Sequence, residues 1–335
     1  MKRERIYLYD TTLRDGQQTQ GVNFTVDDKI RISNALDELG IDYVEGGWPG
    51  ANPTDSDFFN TNPQLKATFT AFGMTKRSGK SAENDEVLSA VLNANTPGVC
   101  LVGKAHDFHV IKALGISLEE NLSNISDSVR HIVSKGREAL FDCEHFFDGY
   151  RENPNYALKA AKVAYEAGAR WIVLCDTNGG ALPSQVFSAT KAVIDSGIPG
   201  DRIGIHTHND TEHAIANSLA AIDAGARQVQ GTLNGLGERC GNANLVTLIP
   251  TLLLKDPYSS LYETGVDLNK LSSLTSISRT LDDILNRVPD KWAAYVGSSA
   301  FAHKAGLHAS AIKVDPSLYQ HEDPSSVGND MRMLV

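Results

Sequence analysis

Short apolar runs alternate with longer amphipathic stretches eight times within the first 255 residues, and that rhythm leaves few folds open. The runs are residues 6–10, 43–46, 67–72, 98–102, 139–144, 171–176, 203–207 and 228–232. Between them lie segments with helical spacing, among them 26–39, 154–167, 183–194 and 212–224. Gly40, Gly168 and Gly225 follow three of these segments, where a helix end favours left-handed backbone. The stretches "EAGARWIVLCDT" and "DAGARQVQGT" read as degenerate copies of one helix–strand module. Repeated βα units call for a parallel sheet, either closed as a TIM barrel or open and doubly wound. An open dinucleotide-binding sheet would want G-x-G-x-x-G after its first strand. The chain instead reads Thr11-Thr12-Leu13-Arg14-Asp15-Gly16. An α/β fold, a (β/α)8 TIM barrel over residues 1–255, is therefore expected.

After Lys255 the rhythm stops. Residues 267–286 have helical spacing, and residues 297–312 are rich in small side chains and carry His303 and His308. Residues 256–335 are read as a small, mostly helical subdomain. The strand-like ending "MRMLV" is read as the start of a further C-terminal domain, as in a fragment of a longer protein. Composition narrows the function classes. A net charge of −10 argues against a nucleic-acid surface, because phosphates would meet no excess of cations. No apolar run reaches the ~18 residues of a membrane helix. The basic start Met1-Lys2-Arg3-Glu4-Arg5 leads into a strand-like run rather than a signal-peptide core. The four cysteines, Cys100, Cys143, Cys175 and Cys240, form no C-x-x-C pair and read as reduced thiols in a cytoplasmic protein.

In a TIM barrel the chemistry sits on the loops at the C-terminal ends of the strands. The unusual polar residues fall there: Asp10, Arg14 and Asp15 after the first run, Glu45 at the second, Glu144 and His145 at the fifth. Asp176, Thr177 and Asn178 end the sixth run, and His206, His208, Asn209 and Asp210 end the seventh. In His206-Thr207-His208 the two histidines stand two apart on a strand, so both imidazoles face one side and can meet one ion. Asp15 is the best-placed carboxylate to join them, and Asn242 can add a carbonyl oxygen. Imidazoles suit zinc, whereas Asp, Asn and substrate oxygens suit Mg or Mn, so a divalent ion is expected without a choice among the three. Arg14 beside such an ion can stabilise a developing oxyanion, with Glu45 as its holding partner. Glu144 is a candidate base or an orienting carboxylate, and Thr177 a candidate hydrogen-bond donor to a substrate carboxylate or a local cap. His303 and His308, five apart, do not share a helix face and are not read as a second metal pair. One of them reaching a barrel mouth as an acid or base stays open.

Taken together, four motifs resemble the citramalate and 2-isopropylmalate synthase family, acyl-CoA-condensing barrels related to homocitrate synthase and hydroxymethylglutaryl-CoA lyase. They are "DTTLRDGQQ" (residues 10–18), "HTHND" (206–210), "NGLGERCGNA" (234–243) and "FAHKAGLHASA" (301–311). The stretches "YVEGGWPGANPTD" (43–55) and "EHFFDGY" (144–150) resemble the citramalate branch. The resemblance implies metal ligands at Asp15, His206, His208 and Asn242, with Arg14 as the electrophilic residue. It implies Glu144 within the base machinery, Thr177 on the keto acid, and His303 lent to a partner subunit's site in a domain-swapped homodimer. It further implies acetyl-CoA and pyruvate as substrates, in a synthesis serving isoleucine. The alternatives are 2-oxoisovalerate in the leucine route, or a metal-dependent lyase or aldolase running the bond cleavage.

Overall fold

The computed structural model describes residues 3–333. All eight apolar runs are strands: β1 (Tyr7–Asp10), β2 (Tyr43–Glu45), β3 (Thr68–Met74), β4 (Gly98–Lys104), β5 (Glu138–Glu144), β6 (Trp171–Asp176), β7 (Ile203–Thr207) and β8 (Gln228–Gly231). They pair in parallel in chain order, and β1 pairs with both β2 and β8, so the sheet closes into a barrel. β3 and β4 each run two residues further than the apolar runs indicated, because their backbones stay paired with the neighbouring strands there. In β4 the extension carries Lys104 to the mouth, where it pairs in register with Glu144.

The period of two separates two cores. Tyr9, Tyr43, Phe72, Cys100, Leu140, Trp171, Val173 and Cys175 fill the barrel interior. Their neighbours Leu8, Val44, Ala71, Val99, Leu101, Phe141, Ile172 and Leu174 pack outward against the helices. Toward the N-terminal end the interior is plugged by aromatic groups. The Trp171 indole donates to the Tyr43 hydroxyl at 3.0 Å, and Arg170 lies over the Trp171 ring at 3.8 Å. The mouth is at the opposite end, where the strands finish.

The helix Val26–Leu39 starts at a Thr25–Asp28 capping box and ends at Gly40, whose φ of 102° suits glycine. The helix expected from residue 212 begins at Ala214. Glu212 holds left-handed backbone, and Asn209 Oδ1 takes the Ala214 N–H as a cap. Residues 267–286 form two helices, Leu268–Leu271 and Leu274–Ile284, rather than one. The C-terminal region also holds a two-residue parallel pairing of Ala302–His303 with Arg332–Met333. That pairing covers part of the expected "MRMLV" strand; Leu334 and Val335 lie outside the described residues.

Lys29 is buried completely inside this fold, and three acceptors satisfy its ammonium. They are the Leu13 carbonyl at 2.7 Å, the Gly46 carbonyl at 3.0 Å and Asp55 Oδ1 at 2.6 Å. Leu13 and Gly46 are the backbone neighbours of Arg14 and Glu45, so one cation ties together the loops after β1 and β2. Asp55 also accepts the Trp48 N–H at 2.8 Å, and a side chain at Gly47 would run into the same carboxylate. Removing one partner of a buried pair strands the other charge, which typically costs about 3–5 kcal/mol. Lys29→Met is therefore expected to lower unfolding stability by about that amount in urea titrations. A loss below about 1 kcal/mol, the level of an exposed pair, would contradict it.

Candidate active site

The loop after β1 is a tight turn in which the Thr11 carbonyl accepts from the N–H groups of Arg14, Asp15 and Gly16. Asp10 braces it, accepting from the Thr12 N–H at 2.8 Å and the Thr12 hydroxyl at 2.7 Å. Burial pushes the Asp10 carboxyl up to about 7. Asp176 plays the same part after β6, accepting from the Ala181 N–H at 3.2 Å. Both had been expected in the ring around the mouth, and neither lines it. Tyr9 and Cys175 face inward, so the period of two turns Asp10 and Asp176 outward. Asn178 likewise binds Asp148, leaving the mouth to others.

Asp15, His206 and His208 converge as a possible metal site. One ligand atom from each lies within 4.8 Å of the others, and all three residues are buried. Asp15 Oδ2 is 3.2 Å from His206 Nε2 and 3.8 Å from His208 Nε2, and the two imidazole nitrogens are 3.4 Å apart. Burial opposes charge on Asp15, but Arg14, His206 and His208 outweigh it and hold the carboxyl far below the usual range. Burial opposes protonation of His206, yet Asp15 outweighs it and raises that imidazole. Burial, then His206, pushes His208 down to about 4, so it presents a neutral ring. Asn242 Nδ2 sits 2.6 Å from Asp15 Oδ2, and its Oδ1 is buried without a partner among the described residues. Turning the amide over, which changes its shape little, brings that oxygen to the same point. The glycine loop is moulded to Asn242: a side chain at Gly237 would overlap Asn242 Oδ1. A carboxylate, two imidazoles and an orphaned amide oxygen fit a divalent ion with open positions.

Arg14 borders the same point. Its Nε donates to Glu45 Oε2 at 2.7 Å, its Nη1 lies 3.4 Å from Asp15 Oδ1, and its guanidinium covers Phe72 at 3.9 Å. Glu45 is fully buried and also accepts from the Tyr9 hydroxyl at 2.7 Å. Glu144 reaches the mouth from β5, with Lys104 Nζ at 2.5 Å. The residue after it, His145, takes left-handed backbone (φ 58°), and its N–H donates to Thr177 Oγ1 at 2.8 Å. His145 also stacks on His109, ring centres 3.8 Å apart.

These groups surround one cavity of about 370 Å³ at the mouth, lined by Arg14, Asp15, Glu144, Thr177, His206 and His208. Trp48, Phe72, Met74, Val102 and Leu114 form its apolar wall. Glu45 stands behind Arg14, outside the lining, and His303 does not line the cavity. His303 Nε2 is buried without a partner among the described residues. Sequence reasoning missed Asp142, Lys104 and Arg239, which all line the cavity, and Gln230 behind His206. Asp142 was findable, since it falls between Leu140 and Glu144 on the inward face of β5. Arg239 was not: from a left-handed turn it donates to Asp210 and to the Thr177 carbonyl, locking three mouth loops together.

An ion entering this site must displace the proton that Asp15 favours on His206. Affinity for zinc is therefore expected to fall on acidification through the raised His206 pKa, by roughly tenfold per pH unit. Calorimetric titrations in buffers of different ionisation enthalpy would count the released proton. Binding with no proton release and no pH dependence would contradict the arrangement.

Residues 5–277 match the family model described as HMGL-like, and residues 295–335 match the one described as homocitrate synthase post-HMGL domain-like. The (R)-citramalate synthase of Synechocystis sp. is 49% identical over an alignment covering 100% of this chain and 62% of the relative. The chain thus spans 62% of that curated relative's length. A 2-isopropylmalate synthase of Sulfolobus acidocaldarius is 33% identical, with 99% of this chain and 82% of the relative covered. The crystal structure of the Bacillus subtilis HMG-CoA lyase shares the fold, with a TM-score of 0.70 at 20% identity over 86% of this chain and 96% of that one. A closed parallel barrel with its polar cluster at the strand ends, matched by a family model over most of its length, places the chain in the HMGL-like family.

Proposed function

We propose that this chain is the catalytic portion of an (R)-citramalate synthase. It would join the methyl carbon of acetyl-CoA to the keto carbon of pyruvate, then hydrolyse the thioester to citramalate and CoA. The observation that carries the reading is the convergence of Arg14, Asp15, His206, His208, Glu144 and Thr177 on one cavity. The higher identity to a citramalate synthase than to a 2-isopropylmalate synthase supports pyruvate as the keto acid.

Asp15, His206, His208 and Asn242 would hold a divalent ion, which when bound acts as a Lewis acid on a keto acid. Arg14 lies beside that position with its planar donors pre-aimed by Glu45, so it can meet charge as it grows on the keto oxygen. The Thr177 hydroxyl already accepts from the His145 N–H, which leaves its own hydrogen free for the pyruvate carboxylate. Glu144, one of the carboxylates lining the cavity, would take a methyl proton from acetyl-CoA. The carbanion attacks the keto carbon and Arg14 shares the resulting alkoxide. Water then adds to the thioester carbonyl, and the CoA thiolate leaves. In a domain-swapped homodimer, His303 of one subunit would act at the other subunit's mouth. No described helix is long and apolar enough to cross a membrane.

Two measurements test this. Arg14→Lys keeps the charge but loses the fork, and is expected to lower turnover by about 10²–10³-fold while changing the pyruvate KM far less. Equal losses in both would remove Arg14 from the transition state. Thiol release with pyruvate and with 2-oxoisovalerate, run in parallel, is expected to favour pyruvate. Each extra methylene in a fitted pocket is worth ~1–3 kcal/mol of discrimination. Preference for 2-oxoisovalerate would replace the reading with the 2-isopropylmalate reaction, and rapid cleavage of citramalyl-CoA without hydrolysis would replace it with a lyase.

A further inference from the structure

Behind His206 lies a buried chain of polar groups that the reaction scheme does not use. Gln230 of β8 and Asp142 of β5 both point into the barrel and meet across its interior. The Gln230 amide is completely buried and Asp142 is 3% exposed. Gln230 Nε2 donates to Asp142 Oδ1 at 3.2 Å, and Gln230 Oε1 accepts from His206 Nδ1 at 2.8 Å. An amide can be placed either way round, so the question is what decides its direction. Asp142 in its ionised form decides it, since a carboxylate only accepts and so draws the NH2 end. The carbonyl end must then face His206, which forces the hydrogen onto Nδ1. In the neutral ring, once the proton that Asp15 favours is gone, the lone pair is left on Nε2, the nitrogen facing Asp15 and His208. With the amide reversed, its NH2 would donate to Nδ1, and the ring hydrogen would sit on Nε2, in the ion's place.

We propose that Asp142 and Gln230 are positioning residues that set the tautomer and ring orientation of His206 for a divalent ion. This rests on the reading of Asp15, His206 and His208 as ligands. The relay gives a role to a carboxylate and an amide buried in the barrel interior above its aromatic and aliphatic floor. Its logic is one of direction: an acceptor at 142, an amide at 230, a donor on the imidazole. Exchanging the two chemistries, with an amide at 142 and a carboxylate at 230, keeps an acceptor facing Nδ1 and a donor facing that acceptor.

The test is calorimetric titration of zinc into the metal-free chain, with thermal unfolding of each variant measured in chelator. Gln230→Leu is expected to weaken zinc binding about 10–100-fold, the usual effect of removing such a support. The double variant Asp142→Asn, Gln230→Glu is expected to bind within a few-fold of the unmodified protein. A general packing defect would not be repaired by that exchange, so the recovery separates orientation from structure. If Gln230→Leu binds as tightly as the unmodified protein, or the double variant as weakly as Gln230→Leu, the relay is wrong. If the unmodified protein binds no zinc, the reading of the ligands fails first and the relay with it.

Discussion

A carboxylate removed from water must be answered by positive charge, and at the mouth of this barrel Asp15 is that carboxylate. It is 3% exposed, with a guanidinium on one side and two imidazoles on the other. The guanidinium is held by Glu45, to which Tyr9 donates in turn, and one imidazole by Gln230, which Asp142 holds in turn. Arg14 and His206 are thus each fixed by a neighbour that is itself held. Side chains locked in this way lose little on meeting a substrate, because their ordering was completed during folding.

The closed parallel sheet makes this arrangement possible. Parallel strands end together, so residues far apart in sequence, such as Asp15 and Asn242, meet at one rim. Alternation sends every second residue inward, and near the C-terminal ends those positions change from apolar to polar: Tyr43 before Glu45, Leu140 before Asp142, Cys175 before Thr177. The apolar lower barrel gives the upper layer a low-dielectric floor, which strengthens each charge interaction above it. Lys29, saturated by two carbonyls and Asp55, transmits the rigidity of the outer helix to the loops that carry Arg14 and Glu45.

Much of this was legible before any coordinates. The eight strands follow from the apolar rhythm, and His206 and His208 follow from strand periodicity joined to their place at a strand end. Asp15 was identified as the carboxylate best placed, in the loop after the first strand, to join the two histidines at the same rim. The misassigned residues, Asp10 and Asp176, were counted by position along the chain without asking which face each one took. The alternation that located the histidines would have excluded both. Lys104 and Arg239 were out of reach for a different reason. Their roles depend on how far a strand extends and on a left-handed turn, which tertiary contacts decide. The C-terminal region carried weak periodicity and small residues, and its short helices and strand pair follow from docking rather than local preference.

The central claim is a place: one point near Asp15 Oδ2, His206 Nε2 and His208 Nε2 where a divalent ion sits beside Arg14. Crystals of the protein grown with zinc, measured on both sides of the zinc absorption edge, would test it most directly. One dominant anomalous peak is expected at that point, with Asn242 turned to bring Oδ1 toward it. A map with no peak there, or with its strongest peak elsewhere on the chain, would contradict it.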